Sequence, residues 1–143
     1  MTPSTNRRHL LKLATAAATT LWLPRSAWSQ ARFSSNPFAL GVASGSPTHE
    51  SVVLWTRLVQ TGLFGSSRLG TAPITVRWEI ADDECFTRIV RSGQAQALGE
   101  LAHAVHVEVA GLASDRWYFY RFMAGNAVSP VGRTRTFAAP DAP

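Results

Sequence analysis

Between Ile74 and Ala81 the chain alternates strictly: Ile74, Val76, Trp78 and Ile80 share one face of an extended strand, and Thr75, Arg77 and Glu79 share the other. A helix, with a period of about 3.6 residues, would scatter the same residues around its surface. The run from His103 to Val109 repeats the pattern, with Val105, Val107 and Val109 on one face, His103 at the end of that face, and His106 and Glu108 opposite. Short runs of β-branched and aromatic residues recur between Gly, Pro, Ser and Asp clusters. They predict seven strands: Ala39 to Ala43, Ser51 to Arg57, Ile74 to Ala81, Arg88 to Ala95, His103 to Val109, Arg116 to Met123 and Gly132 to Phe137. No segment beyond the first thirty-one residues carries a helical period, so the expected fold class is all-β, an antiparallel sandwich.

The connection after the fifth strand sharpens that expectation. Gly111-Leu112-Ala113-Ser114-Asp115-Arg116-Trp117-Tyr118 resembles the Leu-turn-Tyr corner of immunoglobulin-like and fibronectin-III-like sandwiches, in which a buried tyrosine hydroxyl bonds to upstream backbone. Tyr118 is expected to be that tyrosine, and Trp55, Trp78, Leu112, Tyr118 and Tyr120 to define the core. Tyr118, Tyr120 and Phe122 then point inward, which leaves Trp117, Phe119 and Arg121 on the other side of the strand. That second face is too apolar to be left open to water. Either a neighbouring domain covers it, or the Gly- and Ser-rich loop from Thr61 to Pro73 does.

Ahead of the sandwich, Arg7 and Arg8 open an apolar, alanine-rich stretch from Leu10 to Leu23, interrupted by Lys12 and followed by Pro24 and Arg25. This reads as a twin-arginine signal, an address read by the twin-arginine translocase and not a stable membrane anchor. Small residues offer two cleavage points, after Ser29 or after Ala31. The expected layout is a signal peptide over 1–31, a sandwich over 32–137 and the start of an interdomain linker over 138–143, which places the product in the periplasm or outside the cell. From Arg32 onward ten basic residues face nine acidic ones, so four of the five net positive charges belong to the leader and the remainder implies no nucleic-acid partner. About 110 residues suffice for one domain. Its lone cysteine, Cys85, can form no internal disulfide and follows the acidic run Asp82-Asp83-Glu84, which disfavours a thiolate.

A hydrolytic site needs a nucleophile with a base, paired carboxylates, or converging metal ligands, and no such set is legible here. His103 and His106 fall on opposite faces of one strand, and His9 and His49 lie far from them in sequence. Ser44-Gly45-Ser46 lacks the G-x-S-x-G pattern of a nucleophile turn and reads as the turn closing the first strand. Asp82-Asp83-Glu84 reads as a solvated turn, not as a calcium loop. No catalytic, cofactor-binding or metal-binding residue is expected.

Several blocks, FALGVASGSP (38–47), SVVLWTRL (51–58), VRWEIADDECFTRIV, HAVHVEVAGL, RWYFYRF and SPVGRTRTF, stand in the order that resembles the N-terminal domain of PhoD-like alkaline phosphatases. The family commonly has Asp where this chain has Ser46, a difference confined to one turn contact. The resemblance implies a parent enzyme with a leader, an immunoglobulin-like domain and a larger α/β metallophosphatase domain that hydrolyses phosphate esters in phosphate scavenging. It implies that Fe3+ and Ca2+ are held only by that later domain, an in-cis partner beyond Pro143, so this chain alone is expected to be inert. The other expectation is a free-standing secreted sandwich that binds a carbohydrate, a cell-wall component or a protein through its aromatic surface.

Overall fold

A computed structural model describes residues 31–60 and 69–141. Among these described residues eight strands and one short turn of 3-10 helix follow in order: β1 (Val42–Gly45), β2 (Ser51–Arg57), β3 (Ile74–Ala81), β4 (Ile89–Ala97), the turn Gly99–Leu101, β5 (Ala104–Ala110), β6 (Trp117–Ala124), β7 (Ala127–Val128) and β8 (Gly132–Arg135). They form two antiparallel sheets, β1-β2-β5 against β4-β3-β6 with β7 and β8 both pairing β6. The architecture is thus an all-β, fibronectin-III-like sandwich. The leader residues Arg7 and Arg8, the first candidate cleavage point after Ser29, and most of the loop from Thr61 lie outside the described residues.

The inward faces are those that period-two alternation assigns. Val76 and Ile80 from β3, Val105 and Val109 from β5, and Tyr118, Tyr120 and Phe122 from β6 are all buried. Val52, Leu54 and Leu58 meet them from the opposite sheet, and Phe33 and Phe38 close the end of the core from the N-terminal segment. Full burial of each such side chain is worth about 1.5–3 kcal/mol, which without a disulfide is the main source of stability.

Strand ends differ from expectation by one to three residues. β1 begins at Val42 because Gly41 takes φ 75° and its N–H bonds the Phe38 carbonyl at 2.8 Å, a turn that delays the strand. Ser44 and Gly45 therefore belong to β1, and the turn starts at Ser46, with φ 46°. The expected last strand, Gly132 to Phe137, is preceded by a short extra one. Pro130 has no N–H to give, so the strand beside β6 breaks into β7 and β8 around it. Ser129 bridges the break. Its hydroxyl accepts the Phe122 N–H at 2.9 Å and donates to the Pro130 carbonyl at 2.8 Å, while its own N–H bonds the Phe122 carbonyl.

Candidate functional site: the open aromatic end of the larger sheet

β3 ends at Ala81, opposite Phe119. Trp117, two residues earlier on β6, is left with a strand neighbour only on the β8 side, which explains why the largest side chain on this face is 47% exposed. Arg133 and Arg135 alternate outward from β8 while Thr134 and Thr136 turn inward. The Arg133 guanidinium lies 4.1 Å from the centre of the Trp117 ring and that of Arg135 lies 5.6 Å away, close enough for cation–π attraction. Arg135 also pairs with Asp115, and Arg116 approaches Asp82 at 3.6 Å. Arg133 has no carboxylate partner among the described residues. Phe137, 61% exposed, follows at the same end, where its N–H bonds the Thr48 carbonyl.

Further along the face the chemistry is self-satisfied. Arg121 and Glu79 stand directly opposite on β6 and β3, and both Nε and Nη2 of Arg121 donate to one carboxylate oxygen, at 2.9 and 2.8 Å. The same guanidinium sits 4.1 Å from the Phe86 ring, which folds over the sheet from the β3–β4 connection. Phe119 is half-buried in this company. The chain enters β3 at the end far from Trp117, so the described part of the preceding loop, from Leu69 on, does not reach it.

Of the residues expected to define the core, Leu112, Tyr118 and Tyr120 are buried. The Tyr118 hydroxyl accepts the Ala113 N–H at 2.8 Å. The Ala113 carbonyl in turn accepts the Thr136 hydroxyl at 2.7 Å, which ties the corner to the end of β8. Burial pushes the Tyr120 phenol above its ordinary value, against a hydrogen bond with the Ser44 side chain that pulls it down. Trp78 is half-buried at the margin, its ring lying over Gly93 of β4 so closely that a Cβ there would come within 2.6 Å. Trp55 is a correction. From Val52 onward the buried residues of β2 are Val52, Leu54 and Thr56, so Trp55 goes with Val53 and Arg57 to the outer face, its ring centre 6.4 Å from that of His106 directly across on β5. Both faces of SVVLWTRL are bulky, and alternation alone does not choose between them.

The remaining polar groups do not converge. His103 is buried in the turn just before β5, with φ 56°, and His106 is exposed on β5, so the two imidazoles do not meet. Burial, and secondarily the nearby Arg57 charge, hold the His103 imidazole below its ordinary value, and its Nε2 has no hydrogen-bond partner among the described residues. Asp83 uses both carboxylate oxygens on the backbone of its own turn, accepting from Thr87 N at 3.1 Å and Arg88 N at 2.9 Å. The Thr87 hydrogen bond is the main reason that its pKa is lowered. Cys85 is exposed and free. Among the described residues no three His, Cys, Asp or Glu side chains gather where a metal could sit, so the residues present do not fit the iron and calcium that the resemblance associates with the parent enzyme. Nor is any described helix long and apolar enough to cross a membrane. The arginine stack on Trp117 was legible only in retrospect: Arg133-Thr134-Arg135-Thr136 alternates, but which strand it pairs with is set by the fold.

Comparisons with known proteins agree with this architecture. The family model described as "PhoD-like phosphatase, N-terminal domain" matches residues 24–138. Alkaline phosphatase D of Bacillus subtilis (strain 168) is 53% identical over 110 residues, an overlap that covers 77% of this chain and 19% of that protein. A solved structure described as "Structure of PhoD" is similar with a TM-score of 0.74 and 51% identity, over 78% of this chain and 21% of that one. The chain thus spans about a fifth of the length of these relatives. At 13% identity, a human fibronectin type III domain from the KIAA0970 protein shares the fold alone, with a TM-score of 0.51 over 72% of this chain and 76% of its own. The chain belongs to the PhoD-like phosphatase N-terminal domain family.

Proposed function

We propose that this chain is the non-catalytic β-sandwich module of an exported PhoD-like alkaline phosphatase or phosphodiesterase. Hydrolysis of phosphate esters then belongs to a metallophosphatase domain in the rest of a longer protein, which also holds the Fe3+ and Ca2+. One observation carries the reading: a match of more than 50% identity that fills most of this chain yet only about a fifth of its relatives. The absence of any gathered ligand set among the described residues supports it. So does the Trp117 end of the larger sheet, since the chain runs out through Phe137 beside an exposed aromatic ring and an arginine without a carboxylate partner among the described residues. A domain attached there in cis, with an apolar and acidic contact surface, would cover both groups.

The leader over 1–31, the translocase as its reader, the periplasmic or secreted destination and the linker over 138–143 belong to the same reading. Arg7 and Arg8 support the first three, and the alternation of proline with small residues after Phe137 supports the last. The purified chain, incubated with p-nitrophenyl phosphate and bis(p-nitrophenyl) phosphate in the presence of Fe3+ and Ca2+, is expected to show no turnover above a boiled control. Turnover that co-elutes with the chain through successive columns would remove the proposal.

A further inference from the structure

We infer that the outer face of the smaller sheet holds a binding site for a short, uncharged sugar chain, with the Trp55 ring as its floor and His106, Glu108 and Arg57 as the groups that bond its hydroxyls. This face lies on the opposite side of the sandwich from the Trp117 face, so a domain attached at the Trp117 end leaves it open.

The core does not need a tryptophan at this position. Val52, Leu54 and Thr56 supply the buried side of β2, and Trp55 stands half-buried on the other. Its ring is also unclaimed. Two guanidiniums lie against Trp117, but among the described residues none lies over Trp55. His106, directly across on β5, meets it at 6.4 Å with the rings tilted by 59°, beside the indole and not stacked on it. On the other flank β1 offers open space. Ala43 pairs with Trp55 and Gly45 with Val53, and a Cβ on Gly45 would meet nothing within 4 Å. The φ of Gly45 is not left-handed, so neither backbone conformation nor close packing asks for glycine there. Glycine in a strand weakens it and often marks a place where a ligand comes close to the backbone.

The polar groups around the ring are uncommitted. Glu108 is exposed two residues beyond His106 and has no hydrogen-bond or ion-pair partner among the described residues. Arg57 is exposed two residues beyond Trp55, and its Nε donates to the Ala102 carbonyl at 3.0 Å, which anchors the guanidinium and leaves its outer N–H groups free of any carboxylate among the described residues. Arg57 pairs with Ala104 and Glu108 with Val53, four residues apart, or about 13 Å along the strands. They are too distant to pair with each other and are placed to hold different units of one chain. Together with the imidazole they supply both donors and acceptors, as hydroxyl groups require. One guanidinium and one carboxylate leave no net field to draw a phosphate. A sugar ring brings an apolar C–H face to the indole and hydroxyls at its rim, which matches an apolar floor with a few placed polar groups. A protein partner would need a broader apolar surface, about 800 Å² a side around several anchors, whereas Trp55 stands among alanine, glycine and valine.

The test is to titrate the isotope-labelled full chain with cellotriose, maltotriose and chitotriose, following the Trp55 indole N–H and the His106 and Glu108 amides by NMR. Saturable shifts at these positions with at least one trisaccharide are expected, at a Kd of about 1 mM, with weaker binding of the matching monosaccharide. Gly45→Val separates the site from the fold. A β-branched residue on this strand should leave the melting temperature unchanged or raise it, while filling the open space and weakening binding several-fold. Trp55→Ala should abolish the shifts, and Trp55→Phe should restore part of the affinity. No shift with any of the three sugars at about 50 mM, far above a millimolar Kd, would overturn the inference. Shifts centred on Trp117, undiminished binding by Gly45→Val, or tighter binding of glucose 6-phosphate than of glucose would do the same, the last by making the ligand anionic.

Discussion

Tyr118 does with one side chain what a disulfide does in other sandwich domains: it fixes the crossing from one sheet to the other. Its ring is in the core, and its hydroxyl takes the Ala113 N–H at a corner whose carbonyl is already held by Thr136. Tyr118→Phe keeps the ring and strands that N–H, so it should destabilise the domain by about 1–2 kcal/mol. Thermal unfolding followed by circular dichroism reads the loss, and an unchanged midpoint would mean that water replaces the hydroxyl. His103 is the opposite case, a polar group buried without a partner for Nε2 among the described residues. Its folded pKa lies below the ordinary 6.5 because burial and then Arg57 disfavour the cation, so the unfolded chain binds the proton more tightly. The stability attached to the neutral form is complete above about pH 6.5 and is lost as the pH falls below it. His103→Leu should therefore narrow the difference in melting temperature between about pH 7.5 and about pH 5.5. An undiminished difference in that variant would assign the acid sensitivity to other groups. Tyr118 was legible because its partner is local, five residues upstream. Trp55 was not, because a strand with large residues on both faces declares its inner side only once it is paired.

At the scale of elements, β2 and β3 were legible to the residue, since each is a run of alternating side chains bounded by turn formers. What escaped was the strand beside β6, read as beginning at Gly132 when a first part already pairs at Ala127 and Val128. Two of its residues carry tertiary duties that composition does not announce. Ser129 substitutes its hydroxyl for the backbone acceptor lost at the break, so Ser129→Ala leaves the buried Phe122 N–H without its partner at a cost of about 1–3 kcal/mol. Gly132 faces Tyr120 directly across the pair, and the tyrosine ring occupies the space that a Cβ would need. Gly132→Ala should cost about 1–3 kcal/mol through overpacking. Denaturant titration of both variants separates the causes. In a Gly132→Ala, Tyr120→Leu double variant the glycine penalty should shrink, whereas Ser129→Ala should cost the same with or without the Tyr120 change. Equal coupling of both sites to Tyr120 would contradict this account.

For the whole molecule, the two sheets bury one core and leave one end unfinished. β3 stops two residues short of Trp117, the arginines of β8 lie on its ring, and the chain departs past Phe137 at the same end. Fold stability does not require this arrangement, because a half-exposed cation–π contact contributes only about 0.5–1 kcal/mol. Trp117→Ala in the isolated domain should accordingly shift the unfolding free energy by no more than about 1 kcal/mol. If a catalytic domain in cis covers the ring, the same change in the longer protein empties a buried pocket and should cost several-fold more, because truncating a large aromatic at a packed surface costs about 3–5 kcal/mol. The loss should appear as separate melting of the two domains where the parent melts as one unit. Hydroxyl-radical labelling of Trp117 gives a second reading of the same contact. Its rate should drop sharply when the rest of the protein is attached. Equal labelling in both contexts would mean that the ring stays open to water, and that the catalytic domain sits against some other part of the sandwich.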